Sequence, residues 1–180
     1  GNKLPKQTVW EGEATVLRVL NDRLYIGTKG NGLLVFDPQS LEKVGHFHSD
    51  APKGFHKQIS GVSVDSQARL WVCGDEGVFC LDNGTWTRFD RASGLAENAI
   101  EALEVDGDGR VYAAAKSAEQ ISQQLFQFNG IAFISYGYDT IREILRQSPA
   151  SATVHLKNLG LVQTYQREFN TAQATQSFSV

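Results

Sequence analysis

The sequence has few cysteines and prolines, no methionine and no long apolar run, and these features exclude several classes of protein. Its 180 residues include two cysteines, four prolines and no methionine. Two cysteines are too few for a framework of disulfides. No apolar run approaches the roughly 20 residues that a membrane-spanning helix needs, so direct membrane insertion is not expected. The start at Gly1 without methionine indicates a processed or recombinant N-terminus, from which any signal peptide would already be gone.

The chain also has little excess of one charge sign over the other. The chain has 17 lysines and arginines against 20 aspartates and glutamates, a net charge of −3. This balance offers no electrostatic footprint for a nucleic acid partner. Hydrophobic residues make up 41% of the chain and glycines number 17, which favours one soluble domain over residues 1–180 with a sizeable core and many tight hairpins.

The clearest pattern lies between Ile59 and Phe89, where four short apolar segments alternate with turn sequences. The segments are too short for helices and rich in β-branched and aromatic residues. The turns between them contain the glycine, asparagine and aspartate that hairpin connections favour. The stretch is therefore predicted to form four antiparallel strands, 59–64, 70–72, 78–81 and 86–89, joined as a meander.

Copies of this unit occur on both sides of it. Leu24 stands 46 residues before Leu70 in the same local pattern, and Val111 stands 41 residues after it. A lone meander cannot bury both of its faces, so copies must stack on each other. The repeat units are predicted at residues 14–50, 58–91, 99–138 and 141–180.

Together these units predict an all-β fold, a β-propeller of about four four-stranded antiparallel blades with a degenerate last blade. Residues 8–13 would supply a closing strand, because a closed ring leaves no sheet edge free. A fragment of a longer ring, and two chains sharing one ring of eight, are the alternatives. Within the last unit, residues 140–147 also fit a helix by their i, i+3, i+4 spacing, although the repeat register favours a strand.

The spaced pieces resemble the two-component-regulator propeller repeat. Its pattern is a GL-x-x-N turn, an apolar strand, D-x-x-G, a strand with an aromatic residue, and then GL. The matches are residues 94–98 (GLAEN), residues 106–109 with Tyr112, and residues 25–28 (YIGT) with Gly32 and Leu33. Residues 113–115 (AAA) depart from it, and the last unit lacks the aromatic and the turn aspartate. The resemblance implies a propeller related to periplasmic sensor modules of bacterial signalling proteins, often associated with glycan sensing, and hence a periplasmic or extracellular location.

The loops at one end of the ring are the predicted binding site. In a four-stranded blade, the connection to the next blade and the hairpin between the second and third strands emerge at the same end. Aromatic and basic side chains there are typical binding anchors, although ordinary solvated loops are also polar. The candidate ligand-binding residues are Phe55, His56, Lys57, Arg91, Lys116, Tyr138, Asp139 and Lys157. They predict a non-catalytic binding or sensor module for a protein partner or a glycan.

Two other functions stay open. Propeller enzymes assemble their sites from loops of different blades, so a small lyase or hydrolase acting on a glycan is one alternative. No Ser/His/Asp set or pair of carboxylates is recognisable, however, and no catalytic residue is predicted. The other alternative is a structural assembly module, a homodimer that completes a larger ring.

No metal or cofactor is predicted. Residues 106–109 (DGDG) resemble the opening of a calcium loop but lack the glutamate that would complete it, and a hairpin turn explains them. His46 and His48 share one face of a strand by their spacing, but no third ligand accompanies them.

The cysteines and the repeated aromatic residues are predicted to be structural. If Cys73 pairs with Val78 across the hairpin, Cys80 is the diagonal neighbour of Cys73. A disulfide between the two cysteines would need their Cα atoms to lie less than about 7 Å apart. Two buried reduced thiols are the favoured interpretation. Tyr25, Trp71 and Tyr112 occupy one position in successive units, in mid-strand, which favours core between blades over a sugar platform.

Overall fold

A computed structural model describes residues 10–48, 51–55, 57–95, 98–115 and 125–135. These residues form three four-stranded antiparallel sheets, each a meander whose strands follow one another in chain order. The strands are β1 (Ala14–Leu20), β2 (Arg23–Thr28), β3 (Leu33–Phe36), β4 (Lys43–Phe47), β5 (Ile59–Val64), β6 (Leu70–Gly74), β7 (Gly77–Asp82), β8 (Thr85–Phe89), β9 (Ile100–Val105), β10 (Val111–Ala115), β11 (Leu125–Phe128) and β12 (Phe133–Ser135). We call the three sheets the first, second and third blade.

The prediction of an all-β fold built from four-stranded meanders is confirmed for these residues. The fourth unit, including the alternative helix at residues 140–147, lies outside the described residues, as do residues 8 and 9 of the predicted closing strand. Residues 10–13 are described and contain no strand. Between residues 10 and 135, the described segments include one 3₁₀ turn at Arg91–Ser93 and no helix long and apolar enough to span a membrane.

The second blade has the predicted register. Cys73 pairs with Val78 and Gly74 pairs with Gly77, which leaves Asp75 and Glu76 as a two-residue hairpin tip. Gly77 has a φ of 117°, and a Cβ there would collide with the carbonyl oxygen of Phe89 on the neighbouring strand. A side chain cannot be accommodated, because the backbone conformation and the close strand both require glycine.

Blades contact their neighbours through their inner strands, β1 against β5 and β5 against β9. Side chains of the second blade alternate between its two faces, so both of its faces are buried. The first seam, between the first and second blades, contains Leu33, Phe55, Ile59, Val62, Leu70, Val72 and Phe79. The second seam, between the second and third blades, contains Trp71, Cys73, Val78, Cys80, Phe89, Leu95, Ile100, Leu103, Val111, Ala113, Ala115, Phe126 and Phe133.

The predicted structural roles of Trp71 and the cysteines are confirmed. Trp71 is fully buried in the second seam, with its ring centroid 4.9 Å from that of Phe128. Both thiols are free and buried. Burial raises the pKa of Cys80 to about 11, and it raises the pKa of Cys73 still further. Neither cysteine is therefore a reactive thiolate in the folded protein.

A buried aspartate fixes the turn between β5 and β6. Oδ1 of Asp65 accepts hydrogen bonds from the backbone nitrogens of Gln67 (2.9 Å) and Arg69 (3.0 Å). Its Oδ2 accepts from Nε of Arg69 (2.6 Å) and from Nε1 of Trp71 (2.8 Å). Burial alone would raise the pKa of Asp65, but the hydrogen bonds from Trp71 and Arg69 outweigh it and hold that pKa below its ordinary range.

The corresponding turn of the third blade repeats this arrangement. Oδ1 of Asp106 accepts from the backbone nitrogens of Asp108 (2.9 Å) and Arg110 (2.8 Å), and the hydroxyl of Tyr112 donates to Oδ2 at 3.3 Å. The Arg110 guanidinium pairs with both carboxylates. The aspartates of residues 106–109 therefore act as turn-forming groups.

Candidate functional site

The inter-blade connection and two hairpin tips meet at one end of the blades, as the sequence predicts. The backbone nitrogen of Gly30, in the β2–β3 hairpin, donates to the carbonyl of Lys57 at 2.9 Å. The backbone nitrogen of Asp75, in the β6–β7 hairpin, donates to the carbonyl of Gln58 at 3.3 Å. The connection is therefore bonded to the hairpins of both blades that it joins. We call the described parts of residues 28–32, 51–58, 74–77 and 90–95 the loop end.

The side chain of Phe55 anchors this connection in the first seam. Its side chain is 1% exposed, and its ring centroid lies 4.8 Å from that of Trp86 and 5.2 Å from that of Phe79. The sequence predicts Phe55 as a ligand contact, but the structure places its ring in the first seam, where it has almost no surface to offer. Although it belongs to a polar loop, Phe55 therefore packs as a core residue between the first and second blades.

An ion-pair network of partly exposed side chains holds the same connection at the surface. Glu76, at the hairpin tip, pairs with Nζ of Lys57 and with Nη2 of Arg88 at 3.2 Å. Arg88 also donates through Nε to the carbonyl of Glu76 at 3.0 Å and lies 3.8 Å from Oδ2 of Asp90. We call Lys57, Glu76, Arg88 and Asp90 the Glu76 cluster. It ties the connection between the first two blades to the second blade.

The electrostatics of the cluster favour binding over proton transfer. The hydrogen bond from Lys57, with the positive charges of Lys57 and Arg88, outweighs burial and holds the pKa of Glu76 below its ordinary range. A carboxylic acid that donates a proton near neutral pH needs a raised pKa instead. Glu76 is therefore suited to organising cations.

Of the eight predicted site residues, three are described. Phe55 and Lys57 lie on the connection between the first and second blades, and Arg91 lies on the next connection, in the 3₁₀ turn capped by Asp90. The remaining five, His56, Lys116, Tyr138, Asp139 and Lys157, lie outside the described residues.

The sequence interpretation missed Arg88 and the role of Glu76. Their positions in the predicted hairpin and strand gave a weak indication that the two side chains lie close together. Glu76 is at the tip of a two-residue hairpin, and Arg88 is at the end of the strand paired with β7. A charge at each of these positions brings the two side chains to the same end of the blade.

The histidine pair does not extend into a metal site within the described residues. The ring centroids of His46 and His48 are 5.6 Å apart, and Nε2 of His46 lies 2.8 Å from the carbonyl oxygen of Asn31. Across the described parts of residues 10–135, no group of three or more histidine, cysteine, aspartate or glutamate side chains is placed to hold a metal ion.

Replacing Glu76 with glutamine is expected to loosen the connection at the loop end. Losing two partly exposed ion pairs corresponds to about 1 kcal/mol, so the amides of Gly30 and Lys57 should exchange about fivefold faster. Hydrogen exchange followed by NMR measures these rates. Glu42→Gln, an exposed residue at the opposite end, is the matched control. Equal exchange rates in the two variants would show that the cluster does not hold the connection.

Stacked four-stranded meanders, joined through their inner strands, define this protein as a β-propeller. The sequence matches no protein-family model and no curated protein. Solved structures do match the fold. One is the extracellular domain of the hybrid two-component system BT3049 from B. thetaiotaomicron, with 22% identity, a TM-score of 0.53, and coverage of 69% of this chain and 17% of that one.

Two further structures support the same fold. The extracellular domain of the one-component system BT4673 from B. thetaiotaomicron matches with 18% identity, a TM-score of 0.56, and coverage of 73% of this chain and 18% of that one. The β-propeller domain of Cps50 (Swd1) from Myceliophteria thermophila matches with 17% identity, a TM-score of 0.51, and coverage of 72% and 40%. The chain thus spans less than a fifth of the length of the two bacterial domains. At these identities the likeness shows the propeller fold.

Proposed function

We propose that the protein is a non-catalytic propeller module that binds a protein partner or a glycan at its loop end, in the periplasm or outside the cell. The observation that carries the proposal is the fixing of the connection at residues 51–58. Phe55 holds it in the seam, backbone hydrogen bonds hold it to two hairpins, and the Glu76 cluster clamps its surface. A loop fixed before binding loses little conformational entropy on binding, which favours affinity.

The charges of the loop end support a ligand that offers mixed polar groups. The cationic side chains there and next to it are Lys29, Lys53, Lys57, Arg88 and Arg91, and the anionic ones are Glu13, Asp75, Glu76 and Asp90. This near balance matches a hydroxyl-rich glycan or an ordinary protein surface better than a polyanion. The extracellular domains among the structural neighbours, and the resemblance of the repeat, support the proposed location.

A binding assay with charge reversals tests the proposal. The probes are an array of neutral and uronate-containing oligosaccharides, followed by calorimetry on any oligosaccharide retained by the 180-residue chain. Lys53→Glu and Arg91→Glu, both exposed at the loop end, are expected to lower the affinity at least about tenfold without changing the melting temperature, because rim charges act on binding more than on folding.

The matched control is Lys43→Glu, an exposed lysine at the start of β4, at the opposite end of the first blade. It is expected to keep the affinity of the unmodified protein. Equal loss in the control and in the loop-end variants would contradict the assignment of the site. Cleavage products of the oligosaccharide would contradict the non-catalytic part of the proposal.

A further inference from the structure

Two histidines lie side by side at the end of the outermost strand of the first blade. His46 belongs to β4, and His48 follows directly after the end of that strand. Phe47, the residue between them, packs against the first seam, with its ring centroid 5.5 Å from that of Trp86. Side chains alternate along a strand, so the anchoring of Phe47 turns both imidazoles to the other face. His46 is exposed there and His48 partly exposed, which leaves the pair at a fixed place on the surface.

A hydrogen bond to the backbone determines which nitrogen of His46 can bind a ligand. Nε2 of His46 lies 2.8 Å from the carbonyl oxygen of Asn31. A carbonyl oxygen only accepts hydrogen bonds, so Nε2 carries the hydrogen and Nδ1 of the neutral ring keeps its lone pair. Histidine ligands of metal ions are held in the same way, with one ring N–H donating to a carbonyl or carboxylate while the other nitrogen binds the metal. The contact with Asn31 therefore orients His46 for coordination through Nδ1.

The separation of the two rings fits a shared metal ion. An imidazole nitrogen binds zinc at about 2.1 Å, which puts the ion about 3.2 Å from the ring centroid. Two imidazoles on one tetrahedral ion then have their centroids about 5.3 Å apart. The centroids of His46 and His48 are 5.6 Å apart, and the rings are tilted by 42° rather than stacked. The observed pair therefore needs little rearrangement to bind one ion.

We propose that His46 and His48 form an open site for a divalent transition metal ion, with Cu²⁺ bound more tightly than Ni²⁺ or Zn²⁺. Imidazole suits all three metals, and Cu²⁺ stands highest in their usual order of affinity. Within the described residues no third histidine, cysteine, aspartate or glutamate joins the pair, so water or an external ligand fills the other coordination positions. The site borders the loop end through Asn31, but its metal affinity does not depend on the ligand proposed there.

Titration of Cu²⁺ into the untagged 180-residue chain, followed by electron paramagnetic resonance in a non-coordinating buffer, tests the site. The spectrum of the one-to-one complex should show coupling to two imidazole nitrogens. His46→Gln and His48→Gln should each lower the affinity for Cu²⁺ at least about tenfold and leave one imidazole bound, because a chelate holds the ion at two points. Both side chains are on the surface, so the circular dichroism spectrum should not change. The control is His155→Gln, which should keep the affinity of the unmodified chain.

NMR locates the ion without any substitution. Substoichiometric Cu²⁺ should broaden the amide signals of Asn31, His46 and His48 first and leave those of β9 and β10 sharp, because paramagnetic broadening falls steeply with distance. Broadening centred on another part of the chain, or a spectrum with a single imidazole, would overturn the proposal. Equal affinities in the three histidine variants would overturn it too, since copper would then bind adventitiously at scattered groups.

Discussion

Phe55→Ala is expected to lower the free energy of unfolding by about 4 kcal/mol, as the truncation of a fully buried phenylalanine does. The ring is buried and packs edge-on against both Phe79 and Trp86, so its removal leaves a cavity in the first seam. Denaturation by urea, followed through tryptophan fluorescence, measures the loss. The same variant should weaken the proposed binding at the loop end, although the buried ring of Phe55 offers almost no surface to a ligand.

Phe47→Ala is the matched control for this prediction. Phe47 packs against the same seam, with its ring centroid 5.5 Å from that of Trp86 in a T-shaped arrangement, but it is only half-buried. Its truncation should cost about half as much, because cost follows the buried area and the cavity that remains. If Phe55→Ala lowers the free energy of unfolding by less than Phe47→Ala does, Phe55 is not the main packing residue of the first seam.

Asp65→Asn is expected to lower the free energy of unfolding by about 3 kcal/mol. The amide keeps one acceptor but places a donor against Trp71 Nε1 or against backbone N–H groups, so a buried polar group loses its partner. Asp106→Asn is the control from the third blade, since its carboxylate has the same role but is 19% exposed against 1% for Asp65. We expect a cost of about 1 kcal/mol there. Equal costs would contradict the dependence on burial.

The pH dependence of the Asp65 variant has a definite sign. The folded-state pKa of Asp65 is lowered, so its contribution to stability is fully present above the ordinary aspartate pKa of about 3.9 and disappears as pH falls through the lowered value. The difference in free energy of unfolding between the unmodified protein and Asp65→Asn should stay constant from about pH 7 to about pH 5 and shrink below about pH 4. A difference that grows on acidification would contradict the charged hydrogen bonds.

The local fold could be predicted from the sequence because turn chemistry and strand length constrain each hairpin strongly. A two-residue tip at Asp75 and Glu76 determines every pairing of β6 with β7, which places Cys73 opposite Val78. The alternation of side chains along β6 then assigns Trp71 to one seam and Val72 to the other. The stacking of blades followed from the repeat itself, because a meander with two apolar faces needs a neighbour on each.

The side-chain network could not be predicted in the same way. Asp65 reads as an ordinary turn residue, and only the structure shows it bonded to Trp71. A signal was present: Asp65, Arg69 and Trp71 recur as Asp106, Arg110 and Tyr112 at the repeat step of 41 residues. Two copies of a spaced polar triplet indicate a shared hydrogen-bond arrangement, and they would have identified the turn aspartate as structural.

The candidate site was predictable as a region but less well residue by residue. The end at which the loops gather follows from the connectivity of a meander, and the hydrogen bond between Gly30 and Lys57 bears it out. Loop composition, however, cannot distinguish a side chain that faces solvent from one that enters a seam. Phe55 shows the difference, because its aromatic ring is drawn into the apolar gap between blades by the same free energy that makes aromatic residues good ligand contacts.

Each of the three sheets draws all four of its strands from one uninterrupted stretch of chain. Every strand ladder is therefore closed within its own stretch. The contacts between blades are mainly side-chain packing, with a few hydrogen bonds such as that from Gly30 to the carbonyl of Lys57. A gene encoding such a chain can gain or lose a whole unit by duplication or deletion without breaking the strand ladders of the units that remain. Selection then acts chiefly on the seam residues, since a new unit is retained when its two faces match those of its neighbours.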